Sequence, residues 1–520
     1  MKLNHKRTIL VGFAFFLISM FWQAYDMIVP LTLTNKFGMS QTWSGVIMAT
    51  DNILAVFMLP IFGALSDKCR SKRGKRTPFI TIGTILAAVL LFSLSFADGA
   101  QLKNISDISN IDNPAALEAI YDAQADKTLL TPEGEEFVLS NLYTREEFAA
   151  IRSDDVVEIT NSDGETEEFS PYTNHVTPAR QACAWEKTSQ SPAALICFIA
   201  LLLGVLFAMA LFRSPAVALM PDVTIKPLRS KGNAIINLMG TAGGILTLVL
   251  GIVFATSSVK NAMMSYTTLF GVVSGLMLLA LSVFLLTVRE PAWAEEMRAD
   301  SIKYGIEEAQ SDSGKKRTLS ACEKRSLIFI LLSIALWYFG YNAVTSKYSV
   351  YSTNILQKNF NTTMLLAQGA AIVAYIPAGM IASKIGRKKT IMGGVVLLAT
   401  AFGVAAFLRS GSPDWLMNAI FVLAGIAWAT INVNSFPMVV EMCSGGDVGK
   451  YTGFYYTASM AAQTATPMLS GLLMDWKGMT ILFPYATIFV SLAFVTMACV
   501  KHGDNKVTAK AGLEALDVDG

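Results

Sequence analysis

Twelve apolar stretches, at about 9–33, 43–65, 78–97, 193–220, 234–256, 266–288, 327–347, 362–383, 390–409, 414–440, 452–474 and 480–500, constrain this chain more than anything else in it. Each is long enough to cross the roughly 30 Å hydrocarbon core of a bilayer as a helix rising about 1.5 Å per residue. None shows the alternation of barrel strands, and helices are the other spanning structure that satisfies its own backbone in lipid. Hydrophobic residues make up 53% of the 520-residue chain and charged ones 15%, too apolar a balance for an ordinary soluble protein. Lys2, Lys6 and Arg7 precede the first stretch, which continues to about Leu33. That is too long for a secretory h-region, so it reads as a first transmembrane helix.

An even number of spans puts both termini on one side, and the basic residues say which. Alternate segments from the N-terminus carry 3, 6, 3, 8, 4, 1 and 3 Lys and Arg, a total of 28, against about one or two in each of the other short loops. The positive-inside rule then predicts both termini in the cytoplasm of a multi-pass plasma-membrane protein. Residues 98–190 break the compact pattern: they hold 19 Asp and Glu against 6 Lys and Arg, and the topology places them outside. Pro114 to Lys127 reads as a helix and Val156–Thr160 with Glu165–Phe169 as a hairpin, so a small extracellular cap is expected.

The loop Gly63-Ala-Leu-Ser-Asp67-Lys68-Cys-Arg-Ser-Lys-Arg73-Gly74-Lys75-Arg76-Thr-Pro78-Phe79 has a second copy, Gly379-Met-Ile-Ala-Ser383-Lys384-Ile-Gly386-Arg387-Lys388-Lys389. Their glycines lie 316 residues apart, whereas Asp222 and Glu441, at the ends of the fourth and tenth spans, lie 219 apart. The difference, 97, approximates the insert, so the chain halves match once it is removed. The expected fold is an all-α membrane protein of twelve transmembrane helices in two pseudo-symmetric six-helix bundles. Residues 1–97 and 191–288 form the first, 289–326 a cytoplasmic linker, 327–500 the second, and 501–520 a tail.

This spaced pair resembles the loops joining the second and third helices in each half of major facilitator transporters. The longer first copy, of the form D-K-C-R-S-K-R-G-K-R-T-P-F, is similar to the branch containing sucrose/proton and glycoside–cation symporters. The resemblance implies a cavity lined by the first, fourth, seventh and tenth helices. It also implies a cytoplasmic gate in which Asp67 and Asp222 engage Lys68, Arg73, Lys75 and Arg76, and Glu441 engages Arg387 and Lys388. Ser383 stands where an acid would complete the second copy. Glycoside–sodium symporters carry paired acids where this chain has Ala55 and Leu59, which favours a proton over sodium. The row Gly240-x-x-Gly243-Gly244…Gly251 allows close helix contact but lacks the G-P-x-x-G-G of family antiporters.

An ionisable residue at the centre of a spanning helix costs at least about 2.5–3.5 kcal/mol and normally faces a cavity or a partner. Asp26, Asp51 and Arg213 are the three that stand out. Counting from the span ends puts Asp26 and Asp51 in one layer, roughly 10–12 Å beneath the outer surface. Arg213 falls nearer the cytoplasm, able to meet them only by reaching upward or in another conformation. A carboxylate alternately buried and exposed, or paired and unpaired, changes its hold on a proton, so these three are the proton-coupling candidates. Sugars need amides for their hydroxyls and aromatic faces for their rings. Trp22, Gln23, Tyr25, Asn237, Tyr341, Asn342, Trp428, Asn432 and Asn434 are the substrate-binding candidates, with Gln368, Tyr338, Tyr455 and Tyr456 of similar character nearby in the sequence.

The six cysteines have neither metal-ligand nor redox spacing, and no catalytic, nucleotide-binding or nucleic-acid signature is present. The sequence therefore reads as a monomeric secondary transporter, not an enzyme and without cofactor or metal. It would import a small sugar or glycoside with a proton. A proton-coupled efflux carrier for amphipathic compounds, or a transport-inactive membrane sensor using the acidic segment, are the alternatives.

Overall fold

Side-chain caps and glycine breaks divide the apolar sequence into long helices. In the computed structural model, which describes residues 3–160, 166–225, 228–303, 320–440, 442 and 448–502, helix α1 (His5–Leu31) is capped by the Asn4 side chain, and α2 (Gln41–Asp67) by Ser40. Pro78 starts α3 (Thr77–Asn104). After the insert come α8 (Ala193–Val223), α9 (Arg229–Val253) and α10 (Thr267–Thr287), then a short amphipathic α11 (Glu290–Lys303). A capping box of Ser320 and Glu323 opens α12 (Ala321–Tyr351), followed by α13 (Phe360–Ile385), α14 (Arg387–Ala405), α15 (Asp414–Val440), α16 (Val448–Lys477) and α17 (Leu482–Ala498). Ten of the described helices are long and apolar enough to cross a membrane. The less apolar α13 and α16, at 26 and 30 residues, match them in length.

The duplication is visible in the packing. Helix α1 packs on α9 and α10 as α12 packs on α16 and α17, and α3 packs on α8 and α10 as α14 packs on α15 and α17. Both leading helices end in a π turn, Thr32–Lys36 after α1 and Ser352–Leu356 after α12. Between the halves α2 packs on α16 and α9 on α13, again a symmetric exchange. The outward faces carry large apolar side chains such as Phe57, Leu286 and Phe407, the surface lipid requires. Exposed Trp43, Trp415 and Trp476 lie where α2 and α15 begin and α16 ends, all at the end bearing the insert, as an interfacial aromatic belt does.

The insert, hereafter the cap, folds around its own core. Helices α4 (Pro114–Gln124), α5 (Leu139–Leu142), α6 (Arg145–Ala150) and α7 (Thr177–Gln190) accompany two antiparallel pairs, β1 (Thr128–Leu130) with β2 (Glu136–Val138) and β3 (Val157–Thr160) with β4 (Thr166–Phe169). Leu117, Ile120, Phe137, Phe148 and Tyr172 pack with Ile105 and Ile108, which continue directly from α3. Gln101 on α3 bonds Thr188 on α7 at 2.8 Å, and Gln181 on α7 bonds Asn35 of the first π turn at 2.9 Å, so the cap is rooted on the first half. Asp98, counted from the sequence among the acids of the insert, belongs to α3. It is fully buried, pairs with Lys36 Nζ at 2.5 Å and accepts from the Tyr266 backbone at 3.1 Å. The span ends by composition before the helix ends by hydrogen bonding.

Candidate functional site

Between the halves, α1 presents Trp22, Gln23, Tyr25 and Asp26 towards α2, α8 and the second half. The Asp26 and Asp51 carboxylates are within electrostatic reach of one another, and Asp51 of the Arg213 guanidinium on α8. Arg213 therefore lies near Asp51 in this conformation, where counting from the span end sets it apart from both acids. Asp51 accepts from Asn52 Nδ2 at 2.8 Å, and Arg213 lies 5.5 Å from the centroid of the Trp22 ring. Neither acid forms a direct ion pair with Arg213, and Asp26 has no hydrogen-bond partner among the described residues.

Facing this trio is an aromatic wall from the second half. Tyr341 on α12 stacks on Trp428 of α15 with ring centroids 3.6 Å apart and planes 3° from parallel, and Tyr338 meets the Trp428 edge at 88°. Tyr341 is in electrostatic range of Asp26, and Tyr456 on α16 of Arg213, which joins the two walls into one site. Trp22 Nε1, Tyr25 OH and Asn342 Nδ2 are buried without a partner. Unsatisfied donors are expensive in a dry interior, and an acceptor oxygen would satisfy each of these three.

The other candidates are placed differently. Gln23 Oε1 accepts from Gln368 Nε2 of α13 at 2.6 Å, a bond between the halves. Asn432 lies beside the Tyr375 hydroxyl. Asn434 is buried and donates to the Thr430 carbonyl of its own helix at 2.9 Å, a packing position. Asn237 is exposed on α9, and its backbone carbonyl accepts from Thr241 Oγ1 at 3.0 Å.

At the opposite end from the cap, Arg76 organises the first cationic loop. Its Nε donates to Asp222 at 2.8 Å, its other nitrogens reach Asp67 and Ser66, and Lys75 Nζ lies 3.2 Å from Asp222. Lys68 and Arg73 are exposed, with no side-chain partner among the described residues. In the second half Arg387 is buried, and Lys388 Nζ donates to the Ala498 and Val500 carbonyls at 2.9 and 2.6 Å, capping α17. Glu441 lies outside the described residues.

Two features of the site were missed in the sequence. Glu290, 3% exposed, accepts from the Lys75, Arg76 and Thr77 backbones at 2.8, 2.9 and 2.8 Å and from Thr77 Oγ1 at 2.7 Å, holding the start of α3 against α11. At the cap end Asp475 of α16 accepts from the Gln41 and Thr42 backbones, both at 2.7 Å, while buried Lys347 of α12 donates to the Gln41 carbonyl at 2.7 Å. These bonds tie the start of α2 to the second half at the cap end. The only sequence signal for either was an acid beside a helix end.

Comparisons with known proteins agree with this architecture. Residues 356–514 match the family model of the Major Facilitator Superfamily, and residues 10–102 match that of MFS/sugar transport proteins. A Metarhizium rileyi (strain RCEF 4871) protein, MFS-type transporter ppzB, is 26% identical over 132 residues, 25% of this chain and 27% of that protein. A sucrose transport protein of Arabidopsis thaliana is 30% identical over 63 residues, 12% of each. The aligned stretches thus span about a quarter or less of the curated relatives. The inward-open xylose transporter XylE from E. coli superposes with a TM-score of 0.58 at 15% identity, covering 99% of both chains. A D-xylose-proton symporter superposes at 0.56 and 15%, covering 94% of this chain and 96% of that one. A bacterial homologue of the iron transporter ferroportin gives 0.56 at 12%, over 96% and 99%. Likeness at such identities speaks for the fold.

Proposed function

The chain belongs to the major facilitator superfamily, and from that premise we propose that it is a secondary transporter carrying a small sugar or glycoside together with a proton by alternating access. The observation that carries this reading is the site itself. Two carboxylates and one guanidinium stand between the halves, opposite the stacked Tyr341–Trp428 pair and beside the unsatisfied donors of Trp22, Tyr25 and Asn342. Hydroxyl-rich cargo offers acceptors to those donors and a C–H face to an aromatic ring.

Asp26, with no fixed partner, and Asp51, within reach of Arg213, are the proton carriers in this reading. Two acids sharing one base leave one negative charge that a proton can neutralise and release as the site changes its exposure. Arg213 exchanges between Asp51 and cargo. The Arg76–Asp67–Asp222 network serves as the gate at the cytoplasmic face. Cationic loops inside, cap outside and a plasma-membrane location follow from the charge bias.

Uptake into proteoliposomes under an imposed pH gradient, screened over sugars and glycosides, tests the proposal. Uptake should follow the inward proton gradient, and Asp26→Asn and Asp51→Asn should each abolish accumulation while leaving binding or exchange. Accumulation unchanged in both variants would remove the acids from coupling.

A further inference from the structure

The cap is rooted on the first half, yet its β1–β2 turn rests on the second. The Met479 backbone N–H, between α16 and α17, donates to the Pro132 carbonyl at 2.6 Å. Gly134 and Gly478 meet backbone to backbone, with φ of +96° and +84°. A Cβ on Gly478 would fall 2.2 Å from the Glu133 carbonyl oxygen, and one on Gly134 2.9 Å from that of Lys477, so the approach depends on both positions lacking a side chain. Beside it Arg409, from the turn between α14 and α15, pairs with Glu133 at 3.3 Å. The cap segment Tyr172–Val176 also touches the π turn Ser352–Leu356 at the end of α12. Three of the second half's turns at this end are therefore held by a structure belonging to the first.

We propose that the cap is a latch: carried by the first half, it grips residues 477–479 and Arg409 of the second when this end of the cavity is shut, and must let go whenever the end opens. The inference rests on the alternating-access reading, which requires the halves to part here. Since α3 runs unbroken into the cap core, the cap moves with the first half, and the contact that yields is the one across the halves. Closure is then shared between the α2–α16 bonds and the latch, which makes the cap a determinant of how often the cavity faces its side.

The test reads opening without needing cargo. Ser44, fully buried on α2 one turn inside the cap end, is replaced by cysteine. Its modification by a membrane-impermeant maleimide, applied on the cap side of proteoliposomes, is followed by peptide mass. In the same full-length chain Pro132→Cys and Met479→Cys are introduced, whose hydrogen-bonded backbones fit a disulfide span. Oxidation of that pair should slow modification at position 44 at least about tenfold, with recovery on reduction. Gly478→Val, without the pair, should accelerate it by a similar factor. Equal rates in the oxidised and reduced pair would overturn the latch and leave the transporter reading standing. Latch behaviour without uptake of any sugar would overturn the cargo reading alone.

Discussion

Glu290 carries more structure than any neighbouring charge in its linker. One carboxylate accepts from four donors at the first turn of α3, where a negative group also meets the positive end of the helix. Glu290→Ala should cost about 2 kcal/mol, the upper end for a lost cap, and Glu290→Gln, which keeps one acceptor, distinctly less. Thermal unfolding of the purified protein measures both, and equal melting points for the two variants would contradict this account. Three of its four donors are backbone N–H groups, which leave no mark in a sequence, so Arg289-Glu290-Pro291 read only as the start of a linker. Asp26, Asp51 and Arg213 could be found because charge inside an apolar run is conspicuous. Lys36 and Asp98 could not, since each sits where an apolar run gives out and looks like an ordinary solvated end.

At the level of elements, the close approach of α1 to α9 rests on the glycine row. A Cβ on Gly243 would lie 2.3 Å from the Phe16 carbonyl oxygen, so the helices touch through backbone. Gly243→Val should force them apart at a cost of roughly 1–3 kcal/mol, the usual range for overpacking. It should lower the melting temperature and weaken the Gln23–Gln368 bond next to it; retention of the wild-type melting point would show that α1 and α9 can separate freely. The all-helical character and the order of the long helices were legible in hydropathy alone, and the duplication in the two cationic loops. Depth was less so. Arg213 was measured from Pro221, but α8 continues through that proline to Val223, and a long arginine stem carries its charge well away from its Cα.

Over the whole molecule, the cap is a second folding unit with its own titration behaviour. His175 is buried among Phe137, Phe169 and Tyr143, whose hydroxyl lies 2.7 Å from Nδ1, and burial pushes its pKa down to about 4. In the unfolded chain the ring takes a proton near pH 6.5. The unfolded state therefore binds more protons between those values, and the stability owed to the neutral ring is complete above pH 6.5 and lost as pH falls towards 4. Hydrogen exchange of cap peptides in the intact protein should quicken across that window, and His175→Gln should flatten the response; a wild-type profile in that variant would exonerate the histidine. Through turn residues and periodicity the sequence pointed to the β3–β4 pair and to a helix over Pro114 to Lys127, which in the structure stops at Gln124. It gave no sign of the cap's grip on the far half, because contacts between distant backbones are written in neither composition nor spacing.

Helix α3 is one uninterrupted rod of 28 residues, roughly 40 Å at 1.5 Å per residue, with the cap fixed to its far end. Were the first half to rock as proposed, such a rod would act as a crowbar, turning a slight tilt within the lipid into a wide swing beyond it. Under the alternating access proposed above, the orientation of the cap would report which way the binding chamber faces. An antibody fragment that clasps the β1–β2 turn and the α16–α17 corner at once would recognise a single state of the carrier and arrest it there.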